Sequence, residues 1–200
     1  MNINVGILVF DGVEELDAVG PYQVFGSAAS VSSQFSVCTI AASDSTRVTA
    51  VNGLSMVAHH QMREAPDINV LVIPGGIGTK RIATQVDVLD WVRRVSTKCE
   101  IVASVCSGAR ITLASGLAVG KRITTHWGVI DELRADGRAA EVLDDVRFVR
   151  DGDVIHAAGV SAGIDMSLWL VGHLSRSPAL AREVQKLMEY YPAPPHAWEV

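Results

Sequence analysis

Two hundred residues, 48% of them hydrophobic, can bury a sizeable core as one domain over residues 1–200, with no need of disulfides or metal. A formal net charge of −5 without any basic block argues against nucleic acid or an anionic membrane as the partner. Three cysteines, Cys38, Cys99 and Cys106, make an odd set without CxxC spacing, which fits a reducing cytoplasm and not a disulfide framework or zinc site. The start "MNINVGILVFDG" has no signal-peptide pattern, and no apolar run reaches the roughly 20 residues of a membrane span, so a soluble cytoplasmic protein is expected.

In chain order, "INVGILVF" (3–10) reads as a first buried strand, being a short and nearly continuous apolar run. "ELDAVGPYQVFGSAA" follows as a helix, with Pro21 expected in its first turn. "FSVCTIAA" (35–42) is the second strand. "RVTAVNGLSMVAHH" alternates around Asn52-Gly53 and predicts a hairpin. "NVLVIPGG" (69–76) is the third buried strand. "VDVLDWVRRVSTK" is expected to form a helix with Val86, Leu89, Val92 and Arg93 opposed to its polar positions. "IVASV" (101–105) is the fourth strand and runs into "ARITLASGL". Shorter strands are expected at 122–125, 147–150 and 154–157. Further helices are "GVIDELRADG", the almost wholly apolar "AGIDMSLWLVGHLS", and "PALAREVQKLMEYY", which the "PAPP" at 192–195 should break. The β–α alternation implies an α/β fold with a mostly parallel sheet and helices on both faces. A ligand site belongs at the carboxyl ends of its strands, near a switch in strand order.

Three loops should meet there: "DGVEELD" (11–17), "PGGIGT" (74–79) and "VCSGA" (105–109). Cys106 stands at a strand-to-helix corner among small neighbours, the cysteine analogue of a nucleophile elbow. A helix N-terminus there would favour the thiolate and lower a thiol pKa that is ordinarily about 8.5. "PGGIGT" lacks the spacing of a phosphate loop, but the amides of Gly75 and Gly76 could face developing negative charge. Glu14, Glu15 and Asp17 are ambiguous as an acidic cluster. Asp17 lies between Leu16 and Ala18, and a buried carboxyl beside a thiol would have a raised pKa and could trade a proton. His126 and Trp127, in "ITTHWG", are pocket candidates, and a Cys–His pair is one reading. Cys38 and Cys99 read as structural, as does Asp165 in the first turn of its helix. His59 and His60 read as solvated, and His156, His173 and His196 join no recognisable group.

The stretches "GILVFDGVEELDAVGPYQVF", "VLVIPGGIGT", "VASVCSGARITLASGLAVGKRITTHW" and "GVSAGIDMSLWLV" together resemble the DJ/PfpI superfamily of the class I glutamine amidotransferase-like fold, over nearly the whole chain. "LDAVGP", "SVCSG", "TTHW", "AGID" and "EYYPAPP" look most like its isonitrile hydratase branch. Deglycase-type members carry a glutamate at the acidic position, and peptidase-like members a histidine after the cysteine, where this chain has Ser107. The resemblance implies a flavodoxin-like three-layer sandwich and a homodimer. It makes Cys106 the nucleophile and Asp17 its acidic partner, with the amides of Gly76, Ile77 and Ser107 polarising substrate or holding water. The branch typically has threonine where Ser107 stands. The expected reaction converts an isonitrile, a small electrophile, to an N-substituted formamide through a thioimidate on Cys106, with no metal or organic cofactor. The alternatives on the same elbow are a glyoxalase, deglycase or amidase, or a redox-sensing cysteine without turnover. A DNA-binding regulator is disfavoured by the acidic balance.

Overall fold

The computed structural model describes residues 2–192. A seven-stranded sheet runs in the order β10-β11-β7-β6-β1-β2-β5, and helices flank it. Its central strands are β1 (Ile3–Val9), β6 (Val70–Ile73) and β7 (Ile101–Val105), nearly all buried, as their continuous apolar runs require. β2 (Phe35–Ala41) and β5 (His60–Gln61) extend one side, and β11 (Val154–Ala157) and β10 (Phe148–Asp151) the other. Every pairing in this sheet is parallel except β10 with β11. The chain leaves β1 for β2 on one side and returns to β6 on the other. The switch in strand order therefore falls between β1 and β6, and the loops after β1, β6 and β7 emerge side by side.

One helical layer joins α1 (Glu15–Val31), α6 (Ala162–Leu174) and α7 (Pro178–Leu187), which pack on one another. The remaining helices are α2 (Thr79–Ile82), α3 (Val86–Ser96), α4 (Ala109–Ala114) and α5 (Ile130–Asp136). Phe10, Phe25, Ile7, Leu8, Ile40, Leu71 and Ile73 are fully buried in the main core. A smaller cluster of Leu113, Ile123, Ile130, Leu133 and Val142 joins α4 and α5 to a parallel two-stranded ribbon, β8 (Arg122–Ile123) with β9 (Glu141–Val142). The expected hairpin forms between β3 (Arg47–Thr49) and β4 (Ser55–Val57), antiparallel around Asn52-Gly53. Among the described residues no helix is long and apolar enough to cross a membrane.

Three expectations are corrected. Pro21 lies in the interior of α1, not in its first turn, because the helix starts at Glu15. Pro21 has no N–H for the main-chain carbonyl of Asp17. Packing compensates: Gly20 and Pro21 are buried, facing Ile164 and Gly163 of α6. α3 buries Val88, Leu89, Trp91 and Val92, while Val86 is exposed. Val86 is the first residue of the helix, and the Trp91 indole N–H is held by the Met62 carbonyl at 2.8 Å, which turns the 88/91/92 face inward. The strand expected at 122–125 stops at Ile123 and pairs only with β9, off the main sheet; beyond it the hydroxyls of Thr124 and Thr125 tie the chain to the carbonyls of Leu143 and Cys106, which turns it toward the Cys106 corner. Of the chain break at 192–195 only Pro192 is described, and His196 lies outside the described residues.

Candidate active site

The loops after β1, β6 and β7 converge as expected. They are knitted by backbone bonds: the Glu14 N–H donates to the Gly75 carbonyl at 3.0 Å, and the Gly78 N–H to the Gly12 carbonyl at 2.9 Å. The hairpin is tied to the same corner, with the Thr49 N–H on Asp11 Oδ1 at 2.8 Å. Glu15 holds Asn52 through both carboxylate oxygens, at 2.7 and 2.9 Å. Glu15 is thus an anchor for the hairpin tip, which separates it from Asp17.

Cys106 directly follows β7 with φ at +56°, the left-handed region that a side chain other than Asn or Asp seldom enters. Strain of about 1–3 kcal/mol is stored at such a position when the surroundings hold it there. They do so here. The Cys106 N–H donates to the Ala158 carbonyl at 2.7 Å, and the Cys106 carbonyl accepts from Thr125 Oγ1 at 2.7 Å. The approach of the loops is close enough that Gly75 is obligatory. A β-carbon there would stand 2.6 Å from the Ser107 nitrogen, 2.7 Å from Asp17 Oδ2 and 2.8 Å from the Cys106 β-carbon.

Asp17, in the first turn of α1, is fully buried at 0% exposure and faces the thiol. Its Oδ2 accepts the Gly75 N–H at 2.9 Å, and its Oδ1 has no hydrogen-bond partner. Burial pushes its pKa up to about 7, with the Glu14 charge adding to the rise and the Gly75 N–H opposing it. The expected rise at Asp17 is therefore present.

The expected depression at Cys106 is not. Burial first, and then the charge of Asp17, push the thiol up to about 12, although the N–H and hydroxyl of Ser107 favour the thiolate. The physical reason is local. The corner continues as a single 3₁₀ turn, Cys106–Gly108, and α4 has only six residues, so little dipole is summed against a buried thiol beside a carboxylate. The two groups titrate as a pair, which holds one shared proton through the neutral and alkaline range.

Two of the loop amides are committed within the site. Gly75 N–H is committed to Asp17, and Gly76 N–H, at a φ of +114°, donates to Ser107 Oγ at 2.9 Å. Both therefore shape the site from within. Ile77 is 72% exposed at the rim. His126 and Trp127 line a cleft of about 410 Å³ that abuts the site through Ala158, Gly159 and Val160. His126 Nδ1 accepts from the Gly128 N–H at 3.1 Å and its ring packs over Gly159. It caps a turn at the wall of the cleft. Cys38 and Cys99 are half-buried on β2 and just before β7, and burial raises both thiols.

Several residues of the site escape sequence reasoning. Val160 adopts φ of +48°, a strained conformation for a β-branched residue, and its N–H acts on Asp17. Thr79, Arg110 and Thr125 bind the loops to one another. The only sequence signals were the small residues flanking Val160 and the threonine closing "PGGIGT". Asp165 pairs with Arg147 and accepts from the Tyr190 hydroxyl at 2.9 Å, a structural tie as expected.

A parallel sheet that brings a strained cysteine up to a buried carboxyl, beside the strand-order switch, defines a class of α/β protein with a tight strand-to-helix corner above its loop edge. Residues 4–172 match the DJ-1/PfpI family, and the chain belongs to it. It is 36% identical over 195 residues to an isonitrile hydratase of Pseudomonas putida, covering 98% of this chain and 82% of that one. A ThiJ/PfpI family protein from Pseudomonas syringae superposes with a TM-score of 0.86 at 34% identity, covering 98% and 78% of the two chains. A DJ-1 superfamily protein from Salmonella typhimurium superposes with a TM-score of 0.80 at 25% identity, covering 96% and 100%.

Proposed function

We propose that the chain hydrates an isonitrile to an N-substituted formamide, with Cys106 as nucleophile and Asp17 as proton carrier. The observation that carries this is the 36% identity to an isonitrile hydratase across 98% of the chain. The apposed Cys106 and Asp17 supply the chemistry. The singly protonated pair is the reactive form. Sulfur attacks the terminal carbon while the pair's proton passes to that carbon, so an S–C and a C–H bond form and the product is a thioimidate. Asp17, now a carboxylate, takes a proton from water as the hydroxyl adds to the same carbon, and passes it to nitrogen. The hydroxyl proton then moves to Asp17 as the C–S bond breaks. Formamide leaves, and the pair has regained its one proton. In this reading the amides of Ile77 and Ser107 hold the polarised substrate or the water, and Trp127 and His126 line its path.

The chain acts as a homodimer in this reading. Leu16 and Val19, 37% and 39% exposed, flank Asp17 on α1 and suit a second copy. Its setting is the reducing cytoplasm, where Cys106 stays a thiol. The test is formamide formation from a simple alkyl or aryl isonitrile by the wild type and Cys106→Ala. Turnover is expected in the first and none in the second. A deglycase is the second reading, favoured by 27% identity over 43% of the chain to a Pyrococcus furiosus deglycase. Turnover of methylglyoxal with none of the isonitrile would replace the first reading by the second.

A further inference from the structure

The strand turns into the helical segment at a single residue. Val105 is extended, with φ −120° and ψ 138°, and Gly108 is already helical, with φ −56° and ψ −23°. Between them Cys106 carries the φ of +56°. The Cys106–Gly108 turn is closed by the Ala109 N–H on the Cys106 carbonyl. That bond depends on the torsions of the two residues inside the turn, Ser107 and Gly108, and is indifferent to φ at Cys106. The turn can therefore close whichever way it points. What φ at Cys106 decides is its direction relative to β7, and with it the direction of the thiol.

Two peptide planes meet at Cys106, and each is held from another element. The plane before it is held by the Cys106 N–H on the Ala158 carbonyl at 2.7 Å, which continues the parallel pairing of β7 with β11. The plane after it is held by the Cys106 carbonyl, which accepts the Thr125 hydroxyl at 2.7 Å. A carbonyl cannot donate, so the direction of this bond is fixed. Thr125 is buried, in the loop after β8, and that loop is itself fastened by Thr124 Oγ1 on the Leu143 carbonyl at 2.9 Å. Ser107 ties the turn to the loop after β6, its Oγ accepting the Gly76 N–H at 2.9 Å, but through a side chain beyond the bend. Thr125 and Ala158 both line the cleft of His126 and Trp127, so the walls of that cleft hold the backbone of Cys106. We propose that Thr125 is a positioning residue: with the Ala158 bond, its hydroxyl holds Cys106 in the left-handed conformation that sets the direction of the thiol. This rests on Cys106 being the nucleophile, but not on the identity of the electrophile.

The test reads conformation and turnover separately. At a left-handed position glycine escapes the strain that a β-carbon meets, so Cys106→Gly should melt about 2–4 °C above Cys106→Ala. Thr125→Val keeps the shape and removes the hydroxyl. In that background the bend is free to relax, and the glycine–alanine difference should fall by about half or more, while Thr125→Ser should keep it. Thr125→Ala serves the same comparison if Thr125→Val fails to fold. With an isonitrile as substrate, Thr125→Val should lower kcat about tenfold to a hundredfold and leave KM within about twofold, the mark of a misplaced reacting group. Thr125→Ser should restore kcat to within about threefold, since it keeps the bond to the Cys106 carbonyl. Equal melting of Cys106→Gly and Cys106→Ala, an undiminished difference without the Thr125 hydroxyl, or a kcat of Thr125→Val within about twofold of wild type would overturn the proposal. A glycine–alanine difference that depends on Thr125, in a protein that turns over no isonitrile, would remove the isonitrile reading alone.

Discussion

Asp17 and His156 are both completely buried, and each leaves one side-chain polar atom without a partner. Burial acts on both by the same physics, disfavouring the charged form, and yields opposite results. At Asp17, in the loop edge of the sheet, it lifts a carboxyl to about 7, where a proton can be given or taken at neutral pH. At His156, in the middle of β11, it drives an imidazole down to about 3, with Lys121 adding to the fall. His156 lies within hydrogen-bond range of Thr112 Oγ1 at 2.9 Å, and the Thr112 hydroxyl donates to the Ala109 carbonyl at 3.0 Å, so His156 Nε2 carries the hydrogen. The ring stays neutral and braces α4 against the sheet. Burial thus makes an acid chemically available and a histidine inert, which is why the histidines of this chain are poor guides to its chemistry.

The largest test of that contrast is at the pair itself. Cys106→Ala should abolish formamide formation, and Asp17→Asn should lower kcat by about 10²–10⁴-fold, the usual reach of general acid–base catalysis. In the wild type kcat/KM should rise with pH through about 7, as the doubly protonated pair loses its first proton. A profile flat between pH 6 and 8 would break the assignment of Asp17 as proton carrier.

Stability gives the next largest effect, with opposite signs at the two groups. Asp17 titrates from an ordinary 3.8 unfolded to about 7 folded, so the native state binds more protons in that window. Its contribution to stability is lost as pH rises from about 4 to 7, and Asp17→Asn should raise Tm at pH 8 but not at pH 4. Each kcal/mol recovered is worth about 2–4 °C in a chain of this size. His156 titrates from 6.5 unfolded to about 3 folded, so it destabilises the fold as pH falls through that range. His156→Leu should flatten the acid side of the Tm–pH curve and keep kcat within about threefold, since it removes the charging penalty without touching the pair. A tenfold loss of kcat would place His156 in the chemistry and end the contrast.

The smallest effect sharpens the division within one loop. Glu15 stands two residues before Asp17 and only anchors Asn52. Glu15→Gln should leave turnover within about twofold and change Tm less than either substitution above.

Much of the fold was legible because buried parallel strands and tight corners leave local marks. The apolar runs located β1, β2, β6 and β7, the Asn-Gly pair located the hairpin, and the small residues around Cys106 marked the elbow. The misreadings share one cause, which is packing by residues distant in the chain. Pro21 sits mid-helix because α1 starts at Glu15, and it is buried there against α6. α3 turns Trp91 inward because Met62 receives its N–H.

The sequence by itself determined the parallel sheet, the corner carrying Cys106 and the presence of an acid in the neighbouring loop, since periodicity, small residues and loop order are properties of short segments. Only the tertiary structure decided the protonation of that corner. A short helix cannot lower the pKa of a sulfur that the fold has buried beside Asp17, and the Arg110–Thr79 and Thr125–Cys106 contacts join helices and loops that no local pattern connects. Desolvation and hydrogen-bond direction depend on every atom around a group, so the chemistry of the pair was set by the fold as a whole.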